Sequence, residues 1–211
     1  MSELIRSEQH DRSSSYQKQD QLFIPSRSDA LKILKQYNTS ESLIRHAFAV
    51  EGVMGHFADR FGQDREKWQV IGLVHDLDYD LYPDQHCSKS RTILEEHGWP
   101  WEYIRAVISH GWGICSEFEP ESMLEKTLYA VDELTGLIAS TALMRPSVSV
   151  LDLTAKSVNK KWKDKRFAAG VDRAIIEKGA QMMGIERLEL ITETIMGMRK
   201  VAETIGLKGS I

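Results

Sequence analysis

The chain has 211 residues, a formal net charge of -4 at pH 7, 42% hydrophobic and 27% charged side chains, and a pI near 6.0. That length is enough to bury a sizeable core in one large domain or two small ones. The acidic balance argues against bulk electrostatic binding to a nucleic-acid polymer or an anionic membrane. No apolar run approaches the roughly 18 residues that span a bilayer, and residues 1–6 lack the apolar centre of a secretory signal. The two cysteines, Cys87 and Cys115, have no zinc-like spacing and are too few for a disulfide framework. A cytoplasmic protein without membrane or nucleic-acid partners is expected.

Residues 1–27 are polar, with Ser13-Ser14-Ser15 at their centre, and read as a flexible arm that Leu22-Phe23-Ile24 could tack down. From there the pattern is helical and predicts one domain over 28–211. Ser28 is placed to cap a helix over 29–37. Thr39 or Ser40 can cap a long one through Phe61, stopped by Gly62. Asp64 opens a third, to about His75. A helix over 88–97 stops at Gly98, and Trp99-Pro100 starts another that ends near His110-Gly111. Pro120 begins a long helix to about Met144, halted by Arg145-Pro146. Helices over about 152–163, 171–183 and 186–205 complete the chain, and 148–151 is its one strand-like stretch. The fold class is all-α, an irregular helical bundle.

The most informative residues are His75-Asp76, at the end of the apolar run Val70-Ile71-Gly72-Leu73-Val74. An ionised carboxylate in such surroundings needs a charge partner or a metal. A divalent cation serves both side chains, with a nitrogen ligand from one and an oxygen from the other. In the helix over 41–61, His46 falls on the stripe of Leu43, Val50, Phe57 and Phe61, and so faces inward. Asp132 sits at the margin of the stripe Leu124, Leu128, Val131, Thr135 and Ile138. Each of these four polar residues alone has an ordinary structural explanation; one metal accounts for all of them together. His86 lies in a loop, and His110 at a helix end where the dipole favours it in any case. His10, His56 and His97 have no comparable setting and take no role.

The order His46, His75-Asp76, His86, His110, Asp132 resembles the HD superfamily of metal-dependent phosphohydrolases. The likeness is nearer to stand-alone bacterial members of unassigned substrate and spans about residues 38–207. It is carried by Gly72-Leu73-Val74-His75-Asp76-Leu77-Asp78-Tyr79, by 129–136 and by 163–173. The loop after His86, Cys87-Ser88-Lys89-Ser90, departs from it. The resemblance implies that His46, His75, Asp76 and Asp132 hold one divalent metal, with Asp76 and His75 central to catalysis. His86 and His110 would hold a second metal, with Asp76 bridging. The number of ions per chain, one or two, and the choice among Fe, Mn, Zn, Co, Ni and Mg stay open, as does the oligomeric state.

The expected partner is a small phosphorylated molecule such as a nucleotide, cleaved by a metal-activated water. Of the basic stretch 156–166 most lysines read as a solvated face. Lys165 and Arg173, inside the family-like block, and Lys89 are the candidates for binding phosphate. Trp99, Trp101 and Trp112 read as core before they read as base-stacking platforms. Two alternatives remain: a di-iron HD-type oxygenase on the same ligand set, and a non-catalytic nucleotide-binding sensor.

Overall fold

In a computed structural model of the chain, residues 23–210 are described. They contain nine α-helices: α1 (Arg27–Tyr37), α2 (Glu41–Phe61), α3 (Arg65–Val74), α4 (Ser88–Glu96), α5 (Trp101–Ser109), α6 (Met123–Leu143), α7 (Ala155–Trp162), α8 (Arg173–Met183) and α9 (Arg187–Lys200). A 3-10 turn, Pro83–Gln85, lies between α3 and α4. The expected arm lies, for residues 1–22, outside the described residues. Among the described residues no helix is long and apolar enough to cross a membrane.

The caps explain where the elements begin. Ser26, not Ser28, starts α1: its hydroxyl accepts the Asp29 N–H at 3.2 Å, and the Asp29 carboxylate accepts the Ser26 N–H at 3.0 Å. This reciprocal capping box leaves Ser28 inside the first turn. Ser122 and Glu125 form the same device for α6, two residues beyond Pro120. Thr154 caps α7, because the expected Asp152 is taken up by Arg145 at 2.6 Å. Helix α9 ends at Lys200, and turns carry the chain through residues 201–206. The strand-like stretch forms no strand among the described residues: Val148 has φ 47, and Val150 N–H bonds the Leu207 carbonyl at 2.9 Å instead.

One hydrophobic cluster joins all nine helices. Helices α2 and α6 are its axis. The former packs on α3, α6 and α9, the latter on α8, α2 and α9. Because α2 is covered on several sides, apolar residues such as Val50, Val53, Met54, Phe57 and Ala58 are all buried, a wider face than a single stripe. Where α8 crosses α6, Gly179 meets Ala130, and a methyl group there would overlap the Ala130 backbone.

Two side chains tie the α1–α2 junction to the turn that follows α3. Buried Asn38 donates from Nδ2 to the Leu77 carbonyl at 2.9 Å. The Asp80 carboxylate accepts the N–H groups of Thr39 and Ser40 at 2.7 and 3.0 Å. Asp80 thereby pins the two residues that lead into α2, whose first turn receives no side-chain cap from Ser40. Overpacking of a close helix crossing costs about 1–3 kcal/mol, so Gly179→Ala should lower the urea-unfolding free energy by that amount. Unchanged stability would mean that α8 can draw back from α6 freely.

Candidate metal centre

The site is built where the ends of α3 and α5 meet the second turn of α2 and the middle of α6. Helix α3 stops at Val74, and His75, fully buried, keeps helical backbone angles while its Nδ1 approaches the Gly72 carbonyl at 2.9 Å. His46 comes from α2 and Asp132 from α6. His46 Nε2 lies 3.1 Å from His75 Nε2 and 2.9 Å from Asp132 Oδ1, and His75 Nε2 is 3.2 Å from the same oxygen.

A second pair stands beside the first. His86 Nε2 and His110 Nε2 are 3.1 Å apart. Between the pairs sits Asp76, with its two oxygens divided. Oδ2 faces His75 and His46 at 3.4 and 3.6 Å, and Oδ1 faces His110 and His86 at 3.4 and 3.5 Å. The structure therefore brings His46, His75, Asp76, His86, His110 and Asp132 together. Ligand atoms of His46, His75, Asp76 and Asp132 form one group within 4.8 Å of one another, and those of His86, Cys87 and His110 form another.

Hydrogen bonds behind the rings assign the tautomers. His75 Nδ1 and His110 Nδ1 face backbone carbonyls of Gly72 and Val107, which only accept, so both nitrogens carry the proton. His86 Nδ1 donates to the fully buried Asp78 carboxylate at 2.8 Å. Thr135 gives its hydroxyl proton to the Asp132 carbonyl at 2.7 Å and is left to accept from His46 Nδ1 at 3.3 Å. In the neutral rings all four Nε2 atoms then present lone pairs to one another and to three carboxylate oxygens. Acceptors at such distances repel unless protons or a cation lie between them. The donor set, imidazole nitrogen with carboxylate oxygen, fits a divalent metal.

The electrostatics point the same way. Burial pushes the His75 pKa down, but the Asp76 and Asp132 carboxylates outweigh it and hold it well above the ordinary histidine value. His86 is raised likewise, burial being outweighed by Asp78 and Asp76. Burial pushes Asp76 and Asp132 up; His75, with His110 for Asp76 and His46 for Asp132, pulls both below the usual carboxylate range. Glu133 is pushed up to about 7 by burial and then by the neighbouring Asp132. A cation held there would offset the Asp132 charge, so this value belongs to the metal-free chain.

A cavity of about 410 Å³ opens over the cluster, with Leu43, Ile114, Val171 and Ile175 as apolar wall and Glu133, Tyr79 and Cys115 at its sides. The three cations expected at phosphate do not line it. Lys89 Nζ rests over the Tyr82 ring at 5.0 Å. Arg173 donates to the carbonyls of Trp162, Phe167, Asp164, Val171 and Ala168, so its guanidinium holds the 162–171 turn together. Lys165 is exposed on that turn. Trp99 is core, Trp101 is exposed and Trp112 lies beneath Lys178 at 3.5 Å; none of the three lines the cavity. His56, given no role, is buried and meets Glu193 at 2.7 Å. Sequence reasoning gave no role to Asp78 and Thr135, which orient His86 and His46. Asp78 was legible only as a second acid two residues after Asp76.

Two outcomes follow from this geometry. Asp78→Ala removes the fixed acceptor behind His86 and should weaken binding of one metal ion about 10–100-fold, read by metal titration, while binding at His46, His75 and Asp132 persists. Uniform loss at both groups would refute the separation. The second outcome concerns pH. Histidines raised in the fold, His75 and His86, add stability that is complete below the unfolded value of about 6.5 and lost as pH climbs through the folded value. The lowered Asp76 and Asp132 add stability that is present above about 3.9 and lost as pH falls through their folded values. The chelated protein should therefore lose stability in urea as pH rises above about 6.5, whereas metal affinity should rise in the same direction as the competing protons leave.

The HD domain family matches residues 43–138, from the first turn of α2 into the second half of α6. Ribonuclease Y of Oleidesulfovibrio alaskensis is 26% identical over 116 residues, covering 51% of this chain and 21% of that protein. The chain thus spans about a fifth of the length of that curated relative. No solved structure matches. The segment that supplies His46, His75-Asp76, His86, His110 and Asp132 thus lies wholly within the stretch that matches the HD domain family.

Proposed function

We propose that the protein is a metal-dependent phosphohydrolase that acts at two adjoining cation sites on a small phosphorylated molecule such as a nucleotide. The observation that carries this reading is Asp76, whose two oxygens are shared between the His46–His75 pair and the His86–His110 pair. A carboxylate so placed can serve two cations at once. His46, His75, Asp76 and Asp132 are the ligands proposed for one ion, His86 and His110 with Asp76 for the other. Bound divalent cations supply a water of lowered pKa and positive charge against the phosphoryl oxygens.

The chain's own part is to hold and to enclose. Gly72, Val107, Thr135 and Asp78 fix the four rings with their Nε2 atoms inward. Leu43, Ile114, Val171 and Ile175 shield one side of the cavity from water and suit an apolar part of the substrate. Among the described residues no lysine or arginine lines the cavity, so charge neutralisation at phosphorus is assigned to the cations. That same lining supports a second reading, a di-iron oxygenase, which needs the ligand set but no phosphate cradle. The family relative named for RNA cleavage shares only a short region, and the acidic balance favours small substrates over a polymer.

The test is phosphate release from a panel of nucleotides and sugar phosphates, with an RNA oligonucleotide included, alongside oxygen uptake by the iron-loaded, reduced protein. A chelator should stop turnover and a divalent metal restore it. Asp76→Asn should lower kcat at least about 100-fold, a scale that even positioning partners of metal ligands reach. Oxygen uptake without phosphate release from any substrate would transfer the assignment to the oxygenase. Turnover that survives both chelation and Asp76→Asn would sink the metal mechanism altogether.

A further inference from the structure

Cys87 and Cys115 are the two cysteines of the chain, 28 residues apart in sequence, and the fold sets their sulfurs face to face. Sγ–Sγ is 2.7 Å, with both thiols free. Cys87 occupies the N-cap position of α4, immediately after His86. It has φ 65, a left-handed backbone that a residue with a side chain rarely adopts. Cys115 lies in the tight turn after His110, where its N–H bonds the Gly111 carbonyl at 3.0 Å. Gly111 makes the encounter possible, since a methyl group at that position would overlap both sulfurs. The two differ in access: Cys87 is buried, whereas Cys115 is half-buried and lines the cavity. Nothing in the proposed hydrolysis uses either one.

We propose that Cys87 and Cys115 are a redox-active pair that hydrogen peroxide converts into an intramolecular disulfide, bridging the loops that carry His86 and His110. Cys115, the sulfur that the cavity exposes, attacks one peroxide oxygen. The O–O bond breaks, the sulfur becomes a sulfenic acid, and hydroxide leaves as water with the thiol's proton. Cys87 then attacks that sulfur, the S–OH bond breaks, and a second water departs with the Cys87 proton. Each sulfur is oxidised by one electron and the peroxide is reduced by two. The resolving thiol already lies in contact, so the sulfenic acid is captured before further oxidation. A disulfide bond is about 2.05 Å long, so closing it asks for a shift of well under 1 Å. The pair stands independently of the hydrolase reading, because it rests on the two sulfurs alone.

Thiol mapping of the full chain tests this. Reduced, metal-loaded protein is treated with stoichiometric hydrogen peroxide, the remaining thiols are alkylated with iodoacetamide, and intact mass and peptide masses are measured. The expected product has lost two hydrogens, takes no alkyl label, yields one peptide cross-linked through Cys87 and Cys115, and returns to the dithiol with dithiothreitol. In Cys115→Ser no cross-link should form, and Cys87, buried, should react with peroxide at least 10-fold more slowly than the wild-type pair. Alkylation of both thiols after peroxide, separate sulfinic acids, or a purely intermolecular disulfide would overturn the proposal. So would thiols that resist both reagents until a chelator is added, since Cys87 would then be a metal ligand beside His86 and His110.

Discussion

Six side chains from five parts of the chain point acceptor atoms at one small volume, and the rest of the fold is arranged to keep them there. With protons fixed on the outer ring nitrogens, the His46–His75 and His86–His110 pairs, each 3.1 Å apart, are stable only with positive charge between them. Protons answer that need in part, as the raised His75 and His86 values reflect. Divalent cations answer it more fully, because they satisfy nitrogen and carboxylate donors together. The helical core is thus organised around a charge deficit, which is a different constraint from apolar burial.

The supports of this cluster lie outside it. Asp78, fully buried, has one oxygen on His86 and the other on the Ser90 N–H at 2.7 Å, which couples His86 to the start of α4. Asn38 and Asp80 hold the turn after α3 against the α1–α2 junction, so the positions of His75 and Asp76 relative to His46 are fixed from both ends of that turn. Arg173, which a search for phosphate-binding cations singles out, acts in the same way at a distance. Its guanidinium is filled by backbone carbonyls around the 162–171 turn, and neighbouring Val171 and Ile175 close one side of the cavity.

Much of this was legible in the sequence. Helical periodicity put His46 on an inward face, and His75-Asp76 at the end of an apolar helix announced a site that needs compensation. The family order joined them to His86, His110 and Asp132. The capping box Ser26–Asp29 was also present at its regular spacing, although Ser28 was the more obvious start. These features are local: they depend on residue type and on spacing along one helix, which backbone geometry translates directly into direction.

Tertiary structure decided what local pattern cannot encode. Periodicity gives the side on which a residue lies, but not what approaches it from another helix. His56 was set aside as lying off the stripe, yet α9 covers that side of α2 and supplies Glu193. The role of Asp78 depends on a loop folding back eight residues later, and that of Thr135 on the level at which α6 crosses α2. The meeting of Cys87 with Cys115 rests on two turns converging at Gly111. Arg173 was read as a phosphate-facing cation because it lies in the family-like block, and only the closed turn reveals the carbonyls that occupy it. The sequence by itself determined the helices and the inward polar residues His46 and His75; the packing of α2, α3, α5 and α6 decided how the cluster pairs, because distances between helices are set by the side chains that fill the space between them.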